Sequence, residues 1–256
     1  MNPFTEIIKS RHIISHLAKS ELKLRYRGTV FGFIWSVLEP LAQLGVLYLV
    51  FSSIRSTDSS FVIYLFSGLI MIHFFSRCTN QGMNSLHSKK AILNSLKIPK
   101  IIFPISTVLS NLYMFLIEIG IFFMFIFVLQ IEISYTVFIL PLIFGLFIIL
   151  TTGLTLLFSV IRLFFKDIQS IWGIVTVSLI FITPVFWKIE DMPDEIAKLF
   201  LLNPLALLME MTHQVVLFDV IPSTEEFRNS IIATFVIFFL GLGLFKKFEK
   251  RMVELL

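Results

Sequence analysis

Four ionisable side chains lie within long apolar stretches of this chain: Glu39, His73, Arg77 and Glu118. A charge near the centre of a bilayer costs roughly 2.5–3.5 kcal/mol on insertion scales, so each must face protein or water and is a functional candidate. The chemistry open to them is ion pairing, hydrogen bonding or proton exchange with a polar solute. A proton relay wants a longer chain of such groups, and a satisfied structural hydrogen bond suits Glu39 and Glu118 equally well. A second group, Lys23, Arg25 and Arg27 around Tyr26, stands just before the first apolar run. Arginine pairs well with phosphate oxygens, so Arg25, Tyr26 and Arg27 are candidates for an anionic headgroup or for positioning a partner protein.

Covalent catalysis and metal chemistry find no support. No glycine is followed by Lys-Ser or Lys-Thr, so the phosphate-cradling loop of many ATPases is absent from the sequence. Neither HExxH nor G-x-S-x-G occurs, and the single Cys78 allows neither an intramolecular disulfide nor a cysteine metal site. No catalytic or metal-binding residue is assigned, and no cofactor is expected on this chain. Asp191, Asp194 and Glu195 read as a solvated acidic rim.

The elements that must hold these groups are membrane spans. Of 256 residues, 57% are hydrophobic, 15% are charged and 30 are Phe, against roughly 25% charged in soluble domains. Apolar segments at 29–54, 61–86, 101–131, 136–161, 168–187 and 229–246 are each long enough to cross a bilayer at about 20 residues per crossing. The second reaches its surface through the mixed stretch SRCTNQGMNSL, which makes its boundary the least defined of the six. Pro40 disfavours α geometry at Glu39, so a kink is expected there. Gly28-x-x-x-Gly32 has the spacing of a close helix contact.

Lys and Arg gather in the N-terminal segment, at 77–100, at 162 and 166, and in the tail, whereas acidic residues crowd 190–226. The positive-inside rule then places both termini in the cytoplasm. Before the first span, Phe4, Ile7, Ile14, Ala18 and Leu22 share one side of a helical wheel and Lys9, His12, His16, Lys19 and Lys23 the other, the pattern of an interfacial amphipathic helix. In the outer loop, LFLLNPLALLMEM holds two short apolar runs broken at Asn203-Pro204, fit for a partly re-entrant helix pair or for a lid. The expected fold is therefore an all-α integral membrane protein: an interfacial segment 1–27, a six-span domain 28–246 with a partly re-entrant loop between spans five and six, and a cytoplasmic tail 247–256.

Most of the aromatics serve packing and lipid contact, but aromatic faces also hold the apolar faces of sugar rings. Trp35, Tyr48, Phe51, Tyr64, Trp172 and Trp187 are the candidates for lining a path.

The stretch RYRGTVFGFIWSVLEPL resembles the entry to the first span of ABC type-2 permeases that export polysaccharides such as O-antigen, teichoic acid and capsule. KIPKIIFPIST is similar to that family's inner connection before the third span, FFKDIQSIW to its fourth-to-fifth turn, and TPVFWKIEDMPDEIAKLFLLNPLALLME to its outer loop. One departure is local: relatives often carry a Tyr-Arg or similar pair after the Asn-Pro segment, where Met211-Thr212-His213 stands here. The resemblance implies a homodimer in a bacterial or archaeal cytoplasmic membrane, joined by two copies of a cytosolic ATPase that carry ATP and Mg. It also implies a lipid-linked glycan as cargo and no nucleic acid partner. Lys97, Lys100, Lys166 and Asp167 are the candidates for docking the ATPase. A drug or lipid exporter of the same superfamily and a membrane-embedded transferase are the alternative readings.

Overall fold

The computed structural model describes residues 3–29, 31–52, 59–90, 98–189 and 192–252. Two helices precede the membrane domain, α1 (Pro3–Lys9) and α2 (Arg11–Arg25). Then come α3 (Trp35–Ser52), α4 (Ser59–Asn84), α5 (Ile102–Val128), α6 (Leu140–Phe164), α7 (Ile168–Ile182), α8 (Asp194–Leu201), α9 (Pro204–Leu217) and α10 (Thr224–Phe248). The described residues contain no strand.

Among the described residues, four stretches are long and apolar enough to cross a membrane: 60–84, 102–128, 135–164 and 224–248. They match the second, third, fourth and sixth expected spans. The other two expected spans hold shorter helices. α3 begins only at Trp35, because Gly28 and Gly32 adopt left-handed φ of 81° and 52° and bend the chain first. Both glycines supply this bend, and within this chain no described atom lies within 4 Å of where their Cβ atoms would stand. α3 then runs on through Pro40. α7 has 15 residues, about 22 Å at 1.5 Å per residue, against a hydrocarbon core of about 30 Å.

The helix ends have local causes. Asn203 accepts a hydrogen bond from the Leu205 N–H at 3.0 Å with Pro204 as first helical residue, and α8 and α9 meet at a 105° bend at that point. Ser223 and Glu226 form a reciprocal capping box that starts α10.

α4 is the central helix. Ile63, Leu65, Phe66, Met71, Ile72 and Phe74 are wholly inaccessible, and α3, α5, α6, α7 and α9 all pack on it. α6 and α10 approach closely. A Cβ at Gly241 would lie 2.1 Å from the Gly153 carbonyl oxygen, and one at Gly153 would lie 2.6 Å from Phe238 Cα, so the two backbones touch.

The amphipathic helix is used differently from the expectation. Ile14 is buried against Leu86, Ile101, Ile102 and Phe103, and Ala18 is wholly inaccessible, so this part of its apolar face meets the bundle and not lipid. His12, His16, Lys19 and Lys23 face away from the bundle and are exposed.

Candidate functional site

The intramembrane polar groups come together along one face of α4. His73, Arg77 and Gln81 are spaced four apart and so stack one turn above the next. Each finds its partner on a different helix. The His73 ring Nε2 lies 2.7 Å from Gln43 Oε1 of α3. Arg77 Nη2 donates to both carboxylate oxygens of Glu118 of α5, at 2.7 and 2.9 Å, with the Glu118 side chain 1% exposed. Gln81 Oε1 accepts from Arg25 of α2 and, at 3.1 Å, from Asn111 Nδ2 of α5, while Arg25 Nη1 donates to Asn111 Oδ1 at 3.1 Å. A buried charge is tolerable only when paired and hydrogen-bonded, and the Arg77–Glu118 pair supplies both, although Arg77 Nε itself is buried without a partner among the described residues.

At the basic end this face opens into a cavity of about 670 Å³ between α2, α4 and the start of α7. Glu21, Arg25, Asn80, Asn84, Lys89 and Gln169 contribute to its wall. Glu21 pairs with Lys89 and accepts from Thr107 Oγ1 at 3.2 Å. Nearby, burial first, then Arg162, Lys166 and Lys90, hold the His87 imidazole below its ordinary value of 6.5.

The three consecutive headgroup candidates line three different recesses. Arg25 lines the polar cavity, Tyr26 lines a separate groove of about 830 Å³, and Arg27 lines a small recess with Ser20, Lys23 and Leu24. α2 ends at Arg25 and its residues fan out at the bend before Gly28. Trp35, Glu39 and Gln43, four apart on α3, line the Tyr26 groove together, and the groove is apolar elsewhere. Glu39 is exposed to it.

The remaining aromatics are distributed. Tyr48 is exposed on α3, and Phe51 stacks on Phe186 at 5.5 Å. Trp172 donates to Thr79 Oγ1 at 2.9 Å and packs on Phe158, and Trp187 donates to the Phe181 carbonyl at 3.0 Å. Tyr64 is 1% exposed and is a strut: its hydroxyl donates to the Trp187 carbonyl at 2.6 Å and its ring stacks on His213 at 3.9 Å. Of the docking candidates, Lys166 and Asp167 are exposed in the α6–α7 turn, Lys100 donates to the Glu249 carbonyl, and Lys97 lies outside the described residues.

Sequence reasoning missed Asn80, Gln81, Asn84 and Asn111. Three of them lie in the SRCTNQGMNSL stretch, which reads as an ill-defined end of a span. The four-residue spacing of 73, 77 and 81 was the available signal.

A bundle of long apolar helices with its charges paired inside and a polar cavity at its basic end defines a multi-pass α-helical membrane protein. Residues 13–217 match the ABC-2 type transporter model, and the chain belongs to that family. It is 25% identical over 242 residues to the O-antigen export system permease protein RfbA of Klebsiella pneumoniae, covering 94% of this chain and 93% of the relative. The polysialic acid transport protein KpsM of Escherichia coli is 27% identical over 241 residues, covering 91% and 92%. The capsule polysaccharide export inner-membrane protein BexB of Haemophilus influenzae is 23% identical over 249 residues, covering 93% and 91%.

Proposed function

We propose that this chain is the membrane subunit of an ATP-driven exporter that moves a lipid-linked polysaccharide outward across the cytoplasmic membrane. The observation that carries the reading is likeness along nearly the whole of both chains to relatives whose names describe export of O-antigen, polysialic acid and capsule polysaccharide. ATP is hydrolysed on a separate subunit that binds ATP and Mg, two copies of which serve a homodimer of this chain. The basic end is the cytoplasmic one, with both termini there, as the distribution of Lys and Arg supports.

In this reading α3 and α7 complete six spans with the four long helices, and the bent α8–α9 pair forms a re-entrant element at the outer face. The groove of Tyr26, Trp35, Glu39 and Gln43 becomes part of the path between the two copies, where Trp35 offers a stacking face and Glu39 and Gln43 offer hydrogen bonds to sugar. Tyr48, Phe51, Trp172 and Trp187 continue the aromatic lining. Arg25 and Arg27 receive the anionic headgroup, and Lys97, Lys100, Lys166 and Asp167 border the ATPase contact.

Vesicles containing this chain and its ATPase should accumulate lipid-linked polymer in an ATP-dependent way. Movement of apolar drugs or lipids with no movement of the polymer would overturn the reading in favour of a different exporter.

A further inference from the structure

The polar cavity at the basic end carries more chemistry than headgroup charge requires. Asn80 Nδ2 donates to the Ser76 carbonyl at 2.8 Å and Asn84 Nδ2 to the Asn80 carbonyl at 3.2 Å. Each amide turns one N–H back onto α4, one turn apart, and the Oδ1 atoms take no hydrogen bond among the described residues. Each amide keeps a second Nδ2 N–H beside its free Oδ1, so α4 brings two acceptors and two donors to the cavity. A phosphate diester or pyrophosphate can match only the N–H groups, whereas sugar hydroxyls, which both donate and accept, match the oxygens as well.

The neighbouring wall has the opposite character. Arg25 uses two of its five N–H donors on Asn111 and Gln81, so its guanidinium is fixed in place with donors to spare. Arg25 and Lys89 against Glu21 leave the wall one net positive charge. A cavity of about 670 Å³ lies within the range of small-ligand sites.

We propose that this cavity binds the glycosyl phosphate at the lipid-linked end of the cargo. Sugar hydroxyls donate to Oδ1 of Asn80 and Asn84, and a phosphate oxygen accepts from Arg25. The cavity thereby distinguishes a glycan-bearing carrier from the bare lipid phosphate. This rests on the polysaccharide-exporter reading and adds the moiety recognised and the residues that recognise it.

The test is equilibrium binding to the complex of this chain with its ATPase in lipid nanodiscs, using farnesyl diphosphate and the same lipid carrying one hexose. The wild type should bind the hexose form about tenfold more tightly, the size expected for one or two net hydrogen bonds. The N80A/N84A variant should lose that preference and keep its affinity for bare farnesyl diphosphate, and Arg25→Gln should weaken both lipids. A readout free of substitutions is competition against the hexose-bearing lipid, in which hexose 1-phosphate should displace it and inorganic phosphate at the same concentration should not. Equal wild-type affinity for the two lipids, or a hexose preference that survives N80A/N84A, overturns this inference while leaving export in vesicles standing. Binding of neither lipid, with no polymer transport, overturns the exporter reading and this inference with it.

Discussion

The seam between α4 and α5 and the seam between α6 and α10 hold the same bundle by opposite means. The first joins its helices through a buried bidentate ion pair, Arg77 with Glu118. The second joins them through missing side chains, Gly153 against Gly241. Hydrocarbon offers no water to either, so helix association rests on polar pairing where polar groups exist and on close backbone approach where they do not. The difference lies in what each tolerates. An ion pair is costly to halve and dispensable when removed whole, whereas a glycine contact has no room for any added atom.

The largest effect should come from halving the pair. Glu118→Ala leaves Arg77 without its counter-charge inside the bundle, at a cost of about 3–5 kcal/mol for a broken buried pair. R77M/E118L, which replaces both partners with apolar groups of similar volume, should recover most of that loss in thermal unfolding of the detergent-solubilised protein. If the double variant is as unstable as Glu118→Ala, the pair does more than neutralise itself and the contrast between the seams fails.

Next is the glycine seam. Gly241→Val places carbons where the Gly153 carbonyl stands, and overpacking of this kind costs about 1–3 kcal/mol. No second substitution restores it, because the obstacle is backbone. Wild-type stability for Gly241→Val would show that α6 and α10 separate freely.

A smaller effect sits at the edge of the polar face. Gln43→Leu removes the partner of His73 at a cost of about 1 kcal/mol, the worth of one hydrogen bond. Because Gln43 also lines the groove with Trp35 and Glu39, transport of polymer should fall by more than stability does. Loss of stability with unchanged transport would make Gln43 a packing residue and remove the groove from the path.

These contrasts also mark what the sequence discloses. Hydropathy locates the four long spans, and Asn203-Pro204 announces the α8–α9 bend, because both are local properties of the chain. Glu118 and Arg77 stand out as charges within apolar runs, yet their partnership spans 41 residues and no local pattern reveals it. Gly28 and Gly32 draw attention by their four-residue spacing, while the glycines that do touch, 153 and 241, lie far apart in the chain. Arg25, Tyr26 and Arg27 read as one cluster until the bend at Gly28 sends them into three recesses. Polar residues at 80, 81 and 84 resemble the frayed end of a span because hydropathy cannot tell a surface from a cavity.

The smallest effect concerns the basic end and has a defined sign. His87 lies outside the long spans, and burial, then Arg162, Lys166 and Lys90, hold its folded value below 6.5. The unfolded chain therefore binds the proton more readily than the folded one. Stability contributed by neutral His87 is fully present above about 6.5 and is lost as pH falls toward its folded value, below which both states are protonated. Because His87 is partly exposed, solvent screening keeps the effect modest. Comparing thermal unfolding at pH 7.5 and 5.5, the wild type should lose more stability than His87→Gln on acidification. An equal loss would show that the cations around His87 are screened by solvent, and a larger loss in His87→Gln would show that the protonated ring is stabilised in the fold, so that the basic end, unlike the paired face of α4, would take a further charge without a buried counter-charge.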